Sequence, residues 1–130
     1  MAVALVGAGA NAQTTTQASL ATATAAADVP VRALIAAMQA QAGAAIRAQF
    51  APTATQAYGA DGKTKAPAAT AKWLESDIIK RHGKVANPEF TVTGSEVVVR
   101  GQYNATGHTS KANFLFTVEN GLITSWRMRY

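Results

Sequence analysis

Residues 111–130 constrain this chain more than any other stretch. They read KANFLFTVENGLITSWRMRY, two runs rich in β-branched and aromatic residues on either side of Asn120-Gly121. Asn-Gly is the pair that most readily takes the positive φ angles of a two-residue type I′ turn, so the stretch is predicted to be a β-hairpin. Unbroken pairing from that turn joins Glu119 to Leu122. It then puts Val118 opposite Ile123, Phe116 opposite Ser125 and Phe114 opposite Arg127 on one face. Thr117 with Thr124, Leu115 with Trp126, Asn113 with Met128 and Lys111 with Tyr130 fall on the other. Large apolar groups then occupy both faces, and both are expected to be covered. Helices on one side would leave room for a pocket, and another subunit would cover the second.

The chain has 130 residues, 48% of them hydrophobic, which suits a single domain with an ordinary core. Its 12 basic residues outnumber 7 acidic ones, for a formal charge of +5. The basic residues are scattered from Arg32 to Arg129 without a run and without interleaved aromatics, which argues against a nucleic-acid surface. The absence of cysteine excludes disulfides and thiolate chemistry.

Residues 1–12, MAVALVGAGANA, form an apolar, signal-peptide-like segment ending in Ala10-Asn11-Ala12, an A-x-A cleavage pattern. It points to a periplasmic or secreted protein. The first basic residue is Arg32, so the positive start of an export signal is missing, and a cytoplasmic location is the alternative. The segment is shorter than the ~20 apolar residues of a membrane span, and no membrane partner is expected. Gly7-Ala8-Gly9-Ala10-Asn11-Ala12 also matches G-x-G-x-x-A, with Asp28 downstream. However, Thr14-Thr15-Thr16 opens no helix and no second parallel strand follows, so no nucleotide or other cofactor is expected. Residues 13–28, rich in Ala and Thr, read as a flexible tether to a domain at 29–130.

Val31, Leu34, Ile35 and Met38 fall on one helical face. Pro30 suits the first turn, Asp28 its positive end, and Gly43 a left-handed end cap. A short helix over 44–50 stops before Pro52, a short strand follows over 53–58, and 58–62 turns. A third helix is predicted over 67–82, closed by Gly83. At ~100° per residue Asp77 falls between Trp73 and Leu74, with Arg81 beside Leu74. Asp77 and Arg81 form an i,i+4 ion pair at the edge of the buried stripe, or else Asp77 projects into a pocket. Lys80, Arg81 and His82 suit the negative end of that helix.

Phe90-Thr91-Val92-Thr93 alternates, Gly94-Ser95 forms a turn, and a strand resumes over 96–103. This pairs Val92 with Val97, Phe90 with Val99 and Glu89 with Arg100. A polar loop over 104–110 holds His108, read as an exposed loop histidine, and the sequon Asn104-Ala105-Thr106. Helices followed by an antiparallel meander make the fold α+β.

The helix VRALIAAMQA, AAIRAQFAP after Gly43, AKWLESDII and the ending FLFTVENGLITSWR together resemble the nuclear transport factor 2-like superfamily, in its SnoaL-like branch. The resemblance spans residues 29–130 and implies a cone, with N-terminal helices packed in a curved, mostly antiparallel sheet and a pocket at the open end. Many such proteins dimerise through the outer sheet face, which here implies a homodimer through Leu115, Trp126, Met128 and Tyr130. Members include ketosteroid isomerases, polyketide cyclases, dehydratases, epoxide hydrolases, accessory subunits and transport factors. Ala42 and Thr53 stand where relatives often carry acids, the first helix lacks the isomerase tyrosine, and Arg127 and Arg129 stand where hydrolases place Arg and Asp. No catalytic set carries over whole, and fold alone does not define function.

Two functions follow. One is a small-molecule-binding protein with a mainly apolar pocket for a hydrophobic or anionic ligand, lined by Tyr58, Trp73, Phe114, Phe116, Ser125 and Arg127. The other is an acid–base enzyme of isomerase, dehydratase or cyclase type. Asp77 is its base by elimination, since most of the other carboxylates sit at caps, turns or an ion pair. Neither a serine nucleophile elbow nor paired metal ligands occur, so metal chemistry is not expected.

Overall fold

The protein is described by a computed structural model over residues 27–59 and 62–129. The signal-like segment, the glycine fingerprint, the tether up to residue 26, Asp61 and Tyr130 lie outside the described residues.

The apolar stripe forms helix α1, Asp28–Ala40, with Val31, Leu34, Ile35 and Met38 all buried. Asp28, assigned to the tether, is its first residue, and Arg32 one turn on donates Nε to its carboxylate at 2.6 Å. Gly43 does not cap this helix. Gln41 takes the left-handed conformation at φ 56°, with Gln41 N–H to Met38 O and Ala42 N–H to Ala37 O closing the end. Gly43 instead opens α2, Gly43–Ala48. A β-carbon there would sit 3.3 Å from Ile79, so glycine serves close packing rather than the turn.

Strand β1, Phe50–Tyr58, begins earlier than expected and includes Pro52. It is an edge strand, where a missing N–H is tolerated. Helix α3, Pro67–Trp73, widens into a π-helical stretch, Leu74–Ile79, where an α-helix was expected to continue. Lys80 N–H reaches Glu75 O and Gly83 N–H reaches Ile78 O, each five residues back at 2.9 Å. The cause is visible in the spacing: the apolar doublets Trp73-Leu74 and Ile78-Ile79 recur every five residues, and only a wider turn brings both to the same face.

Strands β2 (Lys84–Thr93), β3 (Glu96–Ala105), β4 (His108–Glu119) and β5 (Leu122–Met128) follow, in a curved open sheet of order β1-β5-β4-β3-β2. The β1–β5 pair is parallel and the others antiparallel. Val92 pairs with Val97, Phe90 with Val99 and Glu89 with Arg100, as the turn at Gly94-Ser95 requires. Further along, the β2–β3 register shifts around Asn87, whose φ is 53°. There a β-carbon on Gly101 would lie 2.6 Å from Ala86 O, so only glycine admits this approach. The expected loop over 104–110 is a tight turn instead. Gly107 takes φ 72°, Ala105 pairs with His108, and the polar residues lie on strand ends.

The terminal hairpin forms about Asn120-Gly121, but its register breaks after Val118–Ile123. The next pair is Thr117–Ser125, followed by Phe116–Trp126, Leu115–Arg127 and Phe114–Met128. Thr124 is the extra residue, its hydroxyl bonded to Thr117 O at 3.2 Å. One inserted residue exchanges every later side chain between faces. Trp126 and Met128, expected on the outer face, are buried in the core at 1% and 4% exposure. Ser125 and Arg127, expected to line the pocket, go outward. Burying the Trp126 indole among aromatic rings, beside Phe116 at 4.9 Å and Phe114 at 5.3 Å, favours the broken register. The outer face therefore keeps Leu115 but neither Trp126 nor Met128.

Candidate functional site

A cavity of about 200 Å³ lies between α3, the π-helical stretch and the ends of β1, β3, β4 and β5. Ile78, Ala105 and Met128 supply apolar wall; Tyr58, Trp73 and Tyr103 supply aromatic wall; Asp77, Arg81 and His108 complete the lining.

Tyr58 ends β1 opposite Met128, and Trp73 Nε1 donates to its hydroxyl at 2.6 Å, tying α3 to the sheet. From there the rings form an arc. Trp73 meets Trp126 edge-on at 5.1 Å, Trp126 meets Phe114 at 5.3 Å, and Phe114 meets Tyr103 at 5.8 Å. Phe114 and Phe116, expected as lining, are 1% and 0% exposed and pack in the core around Trp126. Tyr103 rests against Gly83, where a β-carbon would fall 2.3 Å from its hydroxyl oxygen. That hydroxyl donates to Asp77 O at 3.5 Å.

The wide turn decides where Asp77 points. At about 80° per residue, appropriate to bonds reaching five residues back, Ile78 falls between Trp73 and Leu74 and Asp77 moves to the other flank of Trp73. Burial agrees: Ile78 is 1% exposed while Asp77 is half-buried at the cavity. Ser76 Oγ donates to Asp77 Oδ1 at 2.9 Å. The Asp77–Arg81 pair does not form; the ion pairs among the described residues are Arg32–Asp28 and Arg47–Glu75. Arg81 Nη2 donates to Thr106 O at 2.9 Å instead, and Thr106 returns its N–H and hydroxyl to Arg81 O at 2.8 and 3.1 Å. This clasp holds the β3–β4 turn against the end of the π-helical stretch. His108 lies 3.3 Å from Ser110 Oγ, with its ring 6.1 Å from that of Tyr103.

The structure thus brings together Tyr58, Trp73 and Asp77 of the residues selected from sequence. Ser125 bonds Thr117 Oγ1 on the outer face. Arg127 acts at a remove: Nη1 donates to Gly59 O at 2.6 Å and lies 3.4 Å from Gly62 O, fastening the segment that follows Tyr58. Tyr103 was missed, although it continues the alternation of Val97 and Val99 along β3. Met128 was missed because nothing before Thr124 announces the extra residue. Among the described residues no three His, Asp or Glu side chains converge as a metal site requires.

A second hollow of about 220 Å³ lies between α2, β1 and α3, with Arg47 and Glu75 among its lining residues. The Arg47 guanidinium, bonded to both carboxylate oxygens of Glu75, holds that acid below its ordinary range.

No protein-family model matches the chain, and no curated protein matches it significantly. Solved structures do. An NTF2-like protein of unknown function from Cytophaga hutchinsonii aligns at TM-score 0.65 and 20% identity, over 78% of this chain and 86% of its own. A candidate polyketide cyclase from Sinorhizobium meliloti aligns at TM-score 0.60 and 21% identity, over 77% and 93%. A computationally designed 17-OHP binder aligns at TM-score 0.65 and 22% identity, over 81% and 90%. At such identities the likeness is one of fold. The chain therefore shares the fold of the NTF2-like protein.

Proposed function

We propose that the protein binds a small molecule in the mainly apolar cavity between its helices and its sheet. The observation that carries this reading is the 200 Å³ hollow itself, whose aromatic and aliphatic walls are interrupted at a few points by polar groups. Its size, below the usual range for drug-sized ligands, suits a molecule of one or two rings. The designed 17-OHP binder on the same fold adds support. Native mass spectrometry of freshly purified protein should reveal a bound small molecule that Trp73→Ala releases. Protein that carries nothing, and that takes up nothing from a fragment library, would refute the reading.

A second reading is an acid–base enzyme of the isomerase, dehydratase or cyclase type, with Asp77 as base. Its support is the turning of Asp77 toward the cavity, unpaired with Arg81, beside two tyrosines. Turnover of a carbonyl substrate that Asp77→Asn abolishes while binding persists would favour it over simple binding.

A further inference from the structure

Resting on the binding reading, we infer that the ligand is amphoteric: a small aromatic molecule carrying both a cationic amine and an anionic carboxylate. Two opposite charges line one cavity without neutralising each other. Asp77 is half-buried, and its hydrogen bond comes from the neutral hydroxyl of Ser76 at 2.9 Å. Arg81 gives Nη2 to a neutral backbone carbonyl at 2.9 Å, which orients the guanidinium without cancelling its charge.

The spacing of the two residues, four apart, would let them meet on an α-helix. The π-helical stretch moves Asp77 to the Trp73 flank, and the clasp to Thr106 holds Arg81 toward the β3–β4 turn. The fold therefore keeps apart two groups that would otherwise pair. Arg81 is exposed and Asp77 half-buried, so neither charge is compelled to pair within the protein, and both stay available to a ligand at the cavity mouth. One molecule with an amine toward Asp77 and a carboxylate toward Arg81 satisfies both, while its ring lies against Trp73 and Tyr103.

The test uses four probes on one phenylethyl framework that carry both charged groups, one or neither: L-phenylalanine, 2-phenylethylamine, 3-phenylpropanoate and ethylbenzene. Their binding to the full chain is followed by NMR titration. The zwitterion is expected to bind about tenfold more tightly than either singly charged probe, the scale of one charged hydrogen bond. Asp77→Asn should remove the advantage of the amine and leave that of the carboxylate. Arg81→Gln should do the reverse, since the backbone half of the clasp survives. Equal binding of all four probes, or a zwitterion preference that neither substitution changes, overturns the inference and leaves the binding reading standing. If none of the four binds while native mass spectrometry shows a retained neutral ligand, the inference alone falls; if both experiments are empty, both readings fall.

Discussion

Trp73 Nε1 donates to the Tyr58 hydroxyl at 2.6 Å, and this bond joins the helical layer to the edge of the sheet at the cavity. Trp73 is almost wholly buried, whereas Tyr58 is 40% exposed, so the bond gives a buried indole its partner from a residue that still reaches solvent. Tyr58→Phe is expected to cost about 1 kcal/mol, the net worth of one such bond. Urea denaturation monitored by tryptophan fluorescence measures it, and an unchanged midpoint would show that water replaces the hydroxyl.

Adjacent residues on β5 should behave oppositely. Trp126→Ala empties the centre of the aromatic arc and should destabilise the protein by roughly 3–5 kcal/mol. Arg127→Ala should leave the core intact and accelerate amide hydrogen exchange at Gly59 and Gly62, whose carbonyls it holds. Comparable losses at both positions would contradict the extra residue at Thr124.

Gly83→Ala drives a methyl group into the Tyr103 hydroxyl, 2.3 Å from the ideal β-carbon. Overpacking of this kind costs roughly 1–3 kcal/mol, and the displaced ring should also shift the Tyr103 and Phe114 resonances. The double variant Gly83→Ala, Tyr103→Phe should recover part of the stability, because the oxygen nearest the new methyl is gone.

Deleting Ser76 shortens the distance between the two apolar doublets from five residues to four, the spacing of an α-helix. The deletion variant should keep its melting temperature, since Trp73, Leu74, Ile78 and Ile79 all stay inward. Loss of the cooperative transition in a thermal melt would show that the surrounding packing demands the wide turn.

The Arg47–Glu75 pair sets one acid-side dependence. Glu75 is held below its ordinary range first by the hydrogen bond from Arg47 and further by its charge. A depressed carboxylate contributes stability above its unfolded pKa and loses it as pH falls through the lower folded value. Stability should therefore drop on acidification in that window. Glu75→Gln should flatten the drop, and so should high salt, because both side chains are about half exposed.

The local elements were legible in the sequence because each rests on a short-range cause. The period of Val31, Leu34, Ile35 and Met38 specifies α1, the turn preference of Asn120-Gly121 specifies the last hairpin, and Gly94-Ser95 sets a register in which Glu89 meets Arg100. What only the tertiary structure decided is orientation past two irregularities. At Thr124 one unpaired residue costs little locally, and it is favoured because Trp126 then packs against Phe114, Phe116 and Trp73, partners far apart in sequence. At Leu74–Ile79 the wide turn is favoured because Leu74 and Ile78 are buried with Trp73 while half-buried Ile79 packs against the same core. Both choices depend on side chains that meet only in the folded molecule, and together they put Asp77 and Met128 at the cavity and Arg127 behind it.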